Sequence, residues 1–226
     1  MKSSYYKYFA ALLLFGSNGI VASNINLPSY EIVLLRLLLG SLFLITVFTV
    51  SRQRFTFYRN KHTCLYLFIS ASAMGASWML LYEAYQQVGI SIASLAYYCG
   101  PVIVMILSPF LFRETLTWPK IAGFLTVLAG MCLVNLQALD EGKTIWGLFC
   151  GLMSAFMYAL MVTANKKAKP ESGLENSLLQ LVIGSFIVVA FVSMQKNFVL
   201  SLTTIDWIPV LLLGLLNTGI GCYLYF

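Results

Sequence analysis

No charged residue falls between Glu83 and Arg113, and residues 84–112 are dominated by apolar side chains. A helix crosses a bilayer with about 20 such residues, so this stretch exceeds what one crossing needs. Pro101 and Pro109 lie inside it. In a soluble helix each proline removes a hydrogen bond and crowds the preceding turn, but a spanning helix tolerates it when neighbours satisfy the freed carbonyl. Together with its flanks, residues 64–136, the stretch reads as a membrane-embedded helical hairpin with a built-in break.

Composition carries that reading to the whole chain. Hydrophobic residues make up 60% of the sequence and charged residues 10%, with a mean hydropathy of +0.85. A soluble domain carries about 25% charge. The five cysteines, Cys64, Cys99, Cys132, Cys150 and Cys222, fall within apolar runs and form no CxxC pair, which suits small packing residues better than disulfides or metal ligands. A net charge of +6 does not indicate nucleic acid here, because the basic residues sit in short loops between apolar runs.

Eight spans are expected: about 8–24, 32–50, 64–82, 92–112, a fifth from Pro119 to near Gln137, 145–164, 178–194 and 207–226. The first could pass for a cleaved signal peptide, but the spans that follow suit an uncleaved first helix. Thr117 is positioned as an N-cap, with Pro119 in the first turn, where a missing N–H costs little. With the N-terminus in the cytoplasm, Lys2, Lys7, Arg52, Arg54, Arg59, Lys61, Arg113, Lys120, Lys166, Lys167 and Lys169 are inside. Only Lys143 and Lys196 are then outside, while Arg36 lies within a span. This positive-inside bias supports an all-α, multi-pass protein of the cell membrane with a cytoplasmic N-terminus.

The chain also repeats itself. Residues 35–41, LRLLLGS, align with 179–185, LQLVIGS, and the same offset sets Gly75 on Gly219. The offset crosses an odd number of spans, so the copies face opposite ways. Inverted repeats of this kind recur in secondary transporters, with the substrate site at the repeat interface.

The segment from Gly75 to Leu133 resembles the second half of an EamA-type repeat of the drug/metabolite transporter superfamily. The residues that carry the likeness are Ala84, Pro101, Glu114, Leu116, Thr117, Gly123 and Gly130, with Asn18 and Arg36 earlier. Ser154, Ala155 and Tyr158 before Asn165 and Lys166 resemble the start of a second repeat. The resemblance implies a ten-helix carrier of five plus five spans, with both ends cytoplasmic and a central site for small metabolites. On this reading residues 1–138 form the first repeat and 145–226 an incomplete second one, five plus three spans. A longer product or a natural truncation would account for the difference. A chain ending at Phe226 is expected to work only in a homo- or hetero-oligomer, or not at all.

Seven residues are candidates for substrate binding: Asn18, Arg36, Glu83, Ser94, Tyr97, Tyr98 and Pro101. An arginine inside a span costs about 2.5 kcal/mol or more and usually faces a cavity or a partner, though one near a helix end also snorkels. Glu83 is either an interfacial acid or a cavity carboxylate, and it is the expected partner of Arg36. Pro101 frees the carbonyl of Tyr97, a polar spot beside two tyrosines unless neighbours or water satisfy it. Asn18 suits an interhelical hydrogen bond as well as a ligand, and Trp78 suits packing. Gly147, Gly151, Ala155 and Ala159 form a small-residue stripe for close helix packing. Ala122, Thr126 and Gly130 are expected to make a similar face. Glu114 beside Arg113 reads as corner structure.

The function expected is secondary active transport, exporting or exchanging small metabolites by alternating access, with a proton as coupling ion and Glu83 as its acceptor. No phosphate-binding motif such as GxxxxGK[ST] appears in the sequence, which points to a gradient as energy source. No cofactor is expected. His62, the sole histidine, sits in a basic loop without further ligands nearby, so no metal is expected either. The other class is a truncated, non-transporting membrane protein or an assembly partner. A membrane enzyme would need clustered acids, histidines or serines at one depth, and the few acids mostly mark span ends. The partners expected are the lipid bilayer and a small-molecule substrate, not nucleic acid.

Overall fold

The computed structural model describes residues 2–113, 115, 117–135, 145–169, 172–194 and 207–225. Glu114, Leu116, Gln137, Lys143, Lys196 and Phe226, all used in the sequence reading, lie outside them, as does the side chain of Cys132. The helices are α1 (Lys2–Gly16), α2 (Asn18–Ala22), α3 (Ser29–Val50), α4 (Lys61–Tyr97) and α5 (Cys99–Phe112), then α6 (Trp118–Asn135), α7 (Ile145–Ala168) and α8 (Gly173–Ser193). The last stretch runs from α9 (Trp207–Leu211) through a π-helical segment, Leu212–Ile220, into α10 (Gly221–Tyr225).

Local chemistry sets the ends of these helices. Asn60 caps α4 by accepting from the backbone N–H of His62 at 2.9 Å. Ser172 stands before α8 with its hydroxyl 3.5 Å from the Glu175 N–H. Glu175, itself buried, accepts from the backbone N–H groups of Thr56 and Phe57 and from the Thr56 hydroxyl, tying the loop after α3 to the start of α8. This anchor was not foreseen from the sequence.

The expected turn between the third and fourth spans is much smaller than residues 83–91. Helix α4 continues past Glu83 and breaks only at Gly89, whose φ of +78° suits glycine. The chain resumes helically to Tyr97 and yields to α5 at Tyr98. Pro101 therefore falls in the first turn of α5, where its lack of an N–H is tolerated, and Pro109 lies inside α5 without interrupting it.

Among the described residues five helical units are long and apolar enough to cross a membrane: Ser29–Val50, Lys61–Phe112, Ile145–Ala168, Gly173–Ser193 and Trp207–Tyr225. The second is 52 residues long and holds two of the spans expected from the sequence. Large apolar side chains face outward, among them Leu42 at 61%, Phe186 at 70% and Phe110 at 82% exposure. That is costly in water and natural against lipid, so the protein is an all-helical, multi-pass membrane protein.

Small residues bring the helices together. Helix α7 lies along α4, and a Cβ at Gly147 would come within 2.5 Å of Val88, one at Gly151 within 2.8 Å of the Ala96 Cβ. Between them Ser77 and Ser154 each donate to the other's carbonyl, at 2.9 and 2.7 Å. On the face expected on α6, Ala122 and Thr126 are exposed, and the surroundings of Gly130 lie outside the described residues.

Helices α3 and α8 bury matching positions. Arg36, Leu37, Gly40, Ser41, Leu44 and Phe48 are buried in α3. Gln180, Leu181, Gly184, Ser185, Val188 and Val192, each 144 residues later, are buried in α8. Ser41 and Ser185 meet directly, hydroxyl to hydroxyl at 3.0 Å. Gly40 packs on Thr218 and Gly184 on Met74, a pair of contacts related by the same offset.

Candidate functional site

An arginine with its charge inside a helical bundle needs a reason to be there, since an unpaired buried charge is among the costliest groups a protein can hold. Arg36 is 1% exposed. Its Nε donates to the Thr218 hydroxyl at 3.0 Å and its Nη1 to the Tyr82 hydroxyl at 2.6 Å. The guanidinium carbon lies 4.0 Å from the centre of the Trp78 ring, a cation–π contact that strengthens when desolvated. These partners are neutral. Nη2 is buried and has no hydrogen-bond partner among the described residues.

Thr218 reaches Arg36 because the backbone around it is π-helical. Its hydroxyl also donates to the Leu213 carbonyl five residues back, at 2.7 Å. The same segment presents Asn217, whose side-chain amide donates to the Leu14 carbonyl, the Ser17 hydroxyl and Asn18 Oδ1, each at 3.0 Å. The wide turn thus serves α1, α2 and α3 at once, in keeping with the frequent placing of π-bulges at functional sites.

Beside Arg36 opens a cavity of about 540 Å³, within the range of about 300–1,000 Å³ usual for small-molecule sites. Its wall includes Leu12, Phe15, Met74, Leu81 and Ile90, and six tyrosines: Tyr8, Tyr85, Tyr97, Tyr98, Tyr158 and Tyr225. The rings join one another: Tyr97 and Tyr158 meet edge to face at 5.3 Å between centroids, and the Tyr158 and Tyr225 hydroxyls are 3.1 Å apart. Arg36 is the sole charged residue among the described residues of the wall. Such a wall offers aromatic faces, hydroxyls and one cation, a chemistry of binding rather than of bond-breaking.

Asn18, Arg36, Ser94, Tyr97, Tyr98 and Pro101 all line this cavity. Asn18 also makes the interhelical bond already described. Trp78, read from the sequence as packing, lines the cavity and underlies Arg36 as well. Glu83 is placed elsewhere. Its carboxylate accepts from Ser29 at 2.8 Å and Gln87 at 3.1 Å, and it is absent from the cavity wall. The expected Arg36–Glu83 pair is therefore not formed: Arg36 turns to Tyr82, the preceding residue on α4. A one-residue step swings a helical side chain by about 100°, enough to separate the two.

Sequence reasoning missed Tyr8, Tyr85, Tyr158, Tyr225 and Thr218 as parts of the site. Tyr158 stands in the stretch that resembles a repeat start, a usable signal. Tyr8 and Tyr225 lie near opposite ends of the chain and stack at 5.7 Å, a pairing that local pattern cannot reveal.

The sequence pattern of the EamA-like transporter family matches residues 3–136 and 145–226. The chain is 26% identical over 227 residues to the uncharacterized transporter YxxF of Bacillus subtilis (strain 168), covering 97% of this chain and 71% of that protein. It is 27% identical over 128 residues to an uncharacterized transporter encoded in the sor 3′ region of Acidianus ambivalens, covering 57% and 49% of the two. A solved crystal structure superposes on the whole chain with a TM-score of 0.76 at 18% identity, covering 78% of its own length. That likeness speaks to the fold.

Proposed function

Because this chain belongs to the EamA-like transporter family, a family of membrane transporters and not of enzymes, we propose that it is a secondary carrier that binds a small metabolite in the Arg36 cavity. The observation that carries the reading is the cavity itself, a space of solute size inside a membrane bundle, with a buried, incompletely bonded guanidinium in its wall. Asn18, Ser94, Tyr97, Tyr98 and Pro101 are proposed to contact the solute beside Arg36. Residues 1–138 and 145–226 are proposed as two inverted repeats that rock against each other to expose the site to either side. The matching burial of α3 and α8 and the Ser41–Ser185 contact support that division.

Eight crossings with the N-terminus in the cytoplasm of the cell membrane fit the loop charges. In that count Lys61–Phe112 supplies two crossings, and α1 with α2, and α6, supply one each. Proton coupling is proposed to run through Glu83, the acid at the outer end of the expected third span, whose carboxylate is held by Ser29 and Gln87.

The test is a screen of a metabolite mixture against proteoliposomes, read by mass spectrometry of the lumen. At least one small solute is expected to cross with the wild type and not with Ser94→Trp, whose indole fills the cavity. Folded wild-type protein that moves no solute would overturn the carrier reading in favour of an assembly partner.

A further inference from the structure

We propose that the solute of this cavity is an organic anion: one acidic group, a carboxylate or its equivalent, on a flat apolar body. The inference rests on the cavity being the binding site, and it adds the sign of the charge and the shape of the body.

The charge follows from what surrounds Arg36. Its hydrogen-bond partners are the hydroxyls of Tyr82 and Thr218 and its face rests on Trp78, so neutral groups solvate the cation without neutralising it. No acidic side chain lines the cavity among the described residues. Glu31, five residues before Arg36 on α3, is buried but is not among its hydrogen-bond partners, and Glu83 is bonded to Ser29 and Gln87. Inside a low-dielectric bundle an uncompensated positive charge is felt strongly at short range, repelling cations and attracting anions. The incomplete bonding points the same way. Nη2 is buried without a partner among the described residues, a costly state for an N–H donor, and a planar guanidinium matches the two oxygens of a carboxylate in a fork. An acid arriving beside Arg36 relieves that cost where an amine does not.

The body follows from the rest of the wall. Tyr97, Tyr98 and Tyr158 present ring faces and edges, and Phe15, Met74 and Ile90 add apolar surface. A ring or short chain of about ten non-hydrogen atoms fits about 540 Å³ with room for its acidic group.

The experiment is calorimetric titration of the full chain in lipid nanodiscs with three probes of one shape: 3-phenylpropionate, 3-phenylpropanamide and 3-phenylpropylammonium. The acid is expected to bind at least tenfold tighter than the amide, and the ammonium weakest. Arg36→Gln is expected to bring acid and amide level, and Arg36→Lys to restore part of the gap. The comparison on wild-type protein stands even where a variant fails to fold. Amide or ammonium binding as tightly as the acid, with Ser94→Trp abolishing it, would overturn the anion inference and leave the cavity site intact. No binding by any probe, or binding that Ser94→Trp leaves unchanged, would overturn the cavity site and the inference with it.

Discussion

Arg36 sits inside the bundle among three neutral neighbours, Tyr82, Thr218 and Trp78, and its two hydrogen bonds are open to test. Tyr82→Phe removes the acceptor at 2.6 Å and Thr218→Val the one at 3.0 Å. Each is expected to lower stability by about 1–2 kcal/mol, read as a fall in melting temperature in detergent. The double variant should lose more than the sum, because the remaining partner then carries the cation alone. A Tyr82→Phe melt indistinguishable from wild type would mean that water reaches Nη1. At this scale the sequence was informative about what stood out: a charge in an apolar run, a proline in a helix, an asparagine among leucines. It could not say which way Glu83 turned, because one residue of helical rotation decides between cavity and rim, and no local pattern records that rotation. Nor could it find Thr218, whose role depends on a π-helical turn that looks in sequence like any stretch of LLGLLNTGI.

At the scale of elements, the long α4 is governed by Gly89. Its φ of +78° is unfavourable for side-chain-bearing residues, yet no described residue lies within 4 Å of where a Cβ would stand. With a ψ of 163° the backbone lies in a region that essentially only glycine adopts, so Gly89→Ala should cost the backbone strain alone, about 1–3 kcal/mol, without an added clash. Gly151 is the contrasting case, since its Cβ would meet that of Ala96 at 2.8 Å. Gly151→Leu should pry α7 from α4 and cost several-fold more, measured as loss of monodisperse protein on size-exclusion chromatography. Equal effects of the two substitutions would refute this packing account. The glycine stripe on α7 was visible in sequence as a four-residue recurrence. The analogous stripe on α6 was equally visible, yet Ala122 and Thr126 are exposed. Periodicity marks a face that can pack closely and is silent on whether a partner is there.

For the whole molecule, the proposed anion has an energetic consequence. Moving one negative charge outward across an inside-negative membrane gains about 2.3 kcal/mol per 100 mV, so a carrier of the anion alone exports without a coupling ion. Proteoliposomes with a potassium diffusion potential separate this from proton coupling. Flux that follows voltage at equal pH marks uncoupled export, and flux that needs a pH difference and fails in Glu83→Gln marks coupling.

The Ser41–Ser185 contact leads further. When two inverted copies exchange conformations, every distance between unlike positions is traded for its counterpart: Gly40 to Thr218 becomes what Gly184 to Met74 was. A distance between a residue and its own counterpart has nothing to be traded for and is identical before and after. The two serines are therefore the still point of the proposed cycle. A disulfide between Ser41→Cys and Ser185→Cys should therefore form readily and leave transport running, and arrest of transport by that cross-link would refute the exchange.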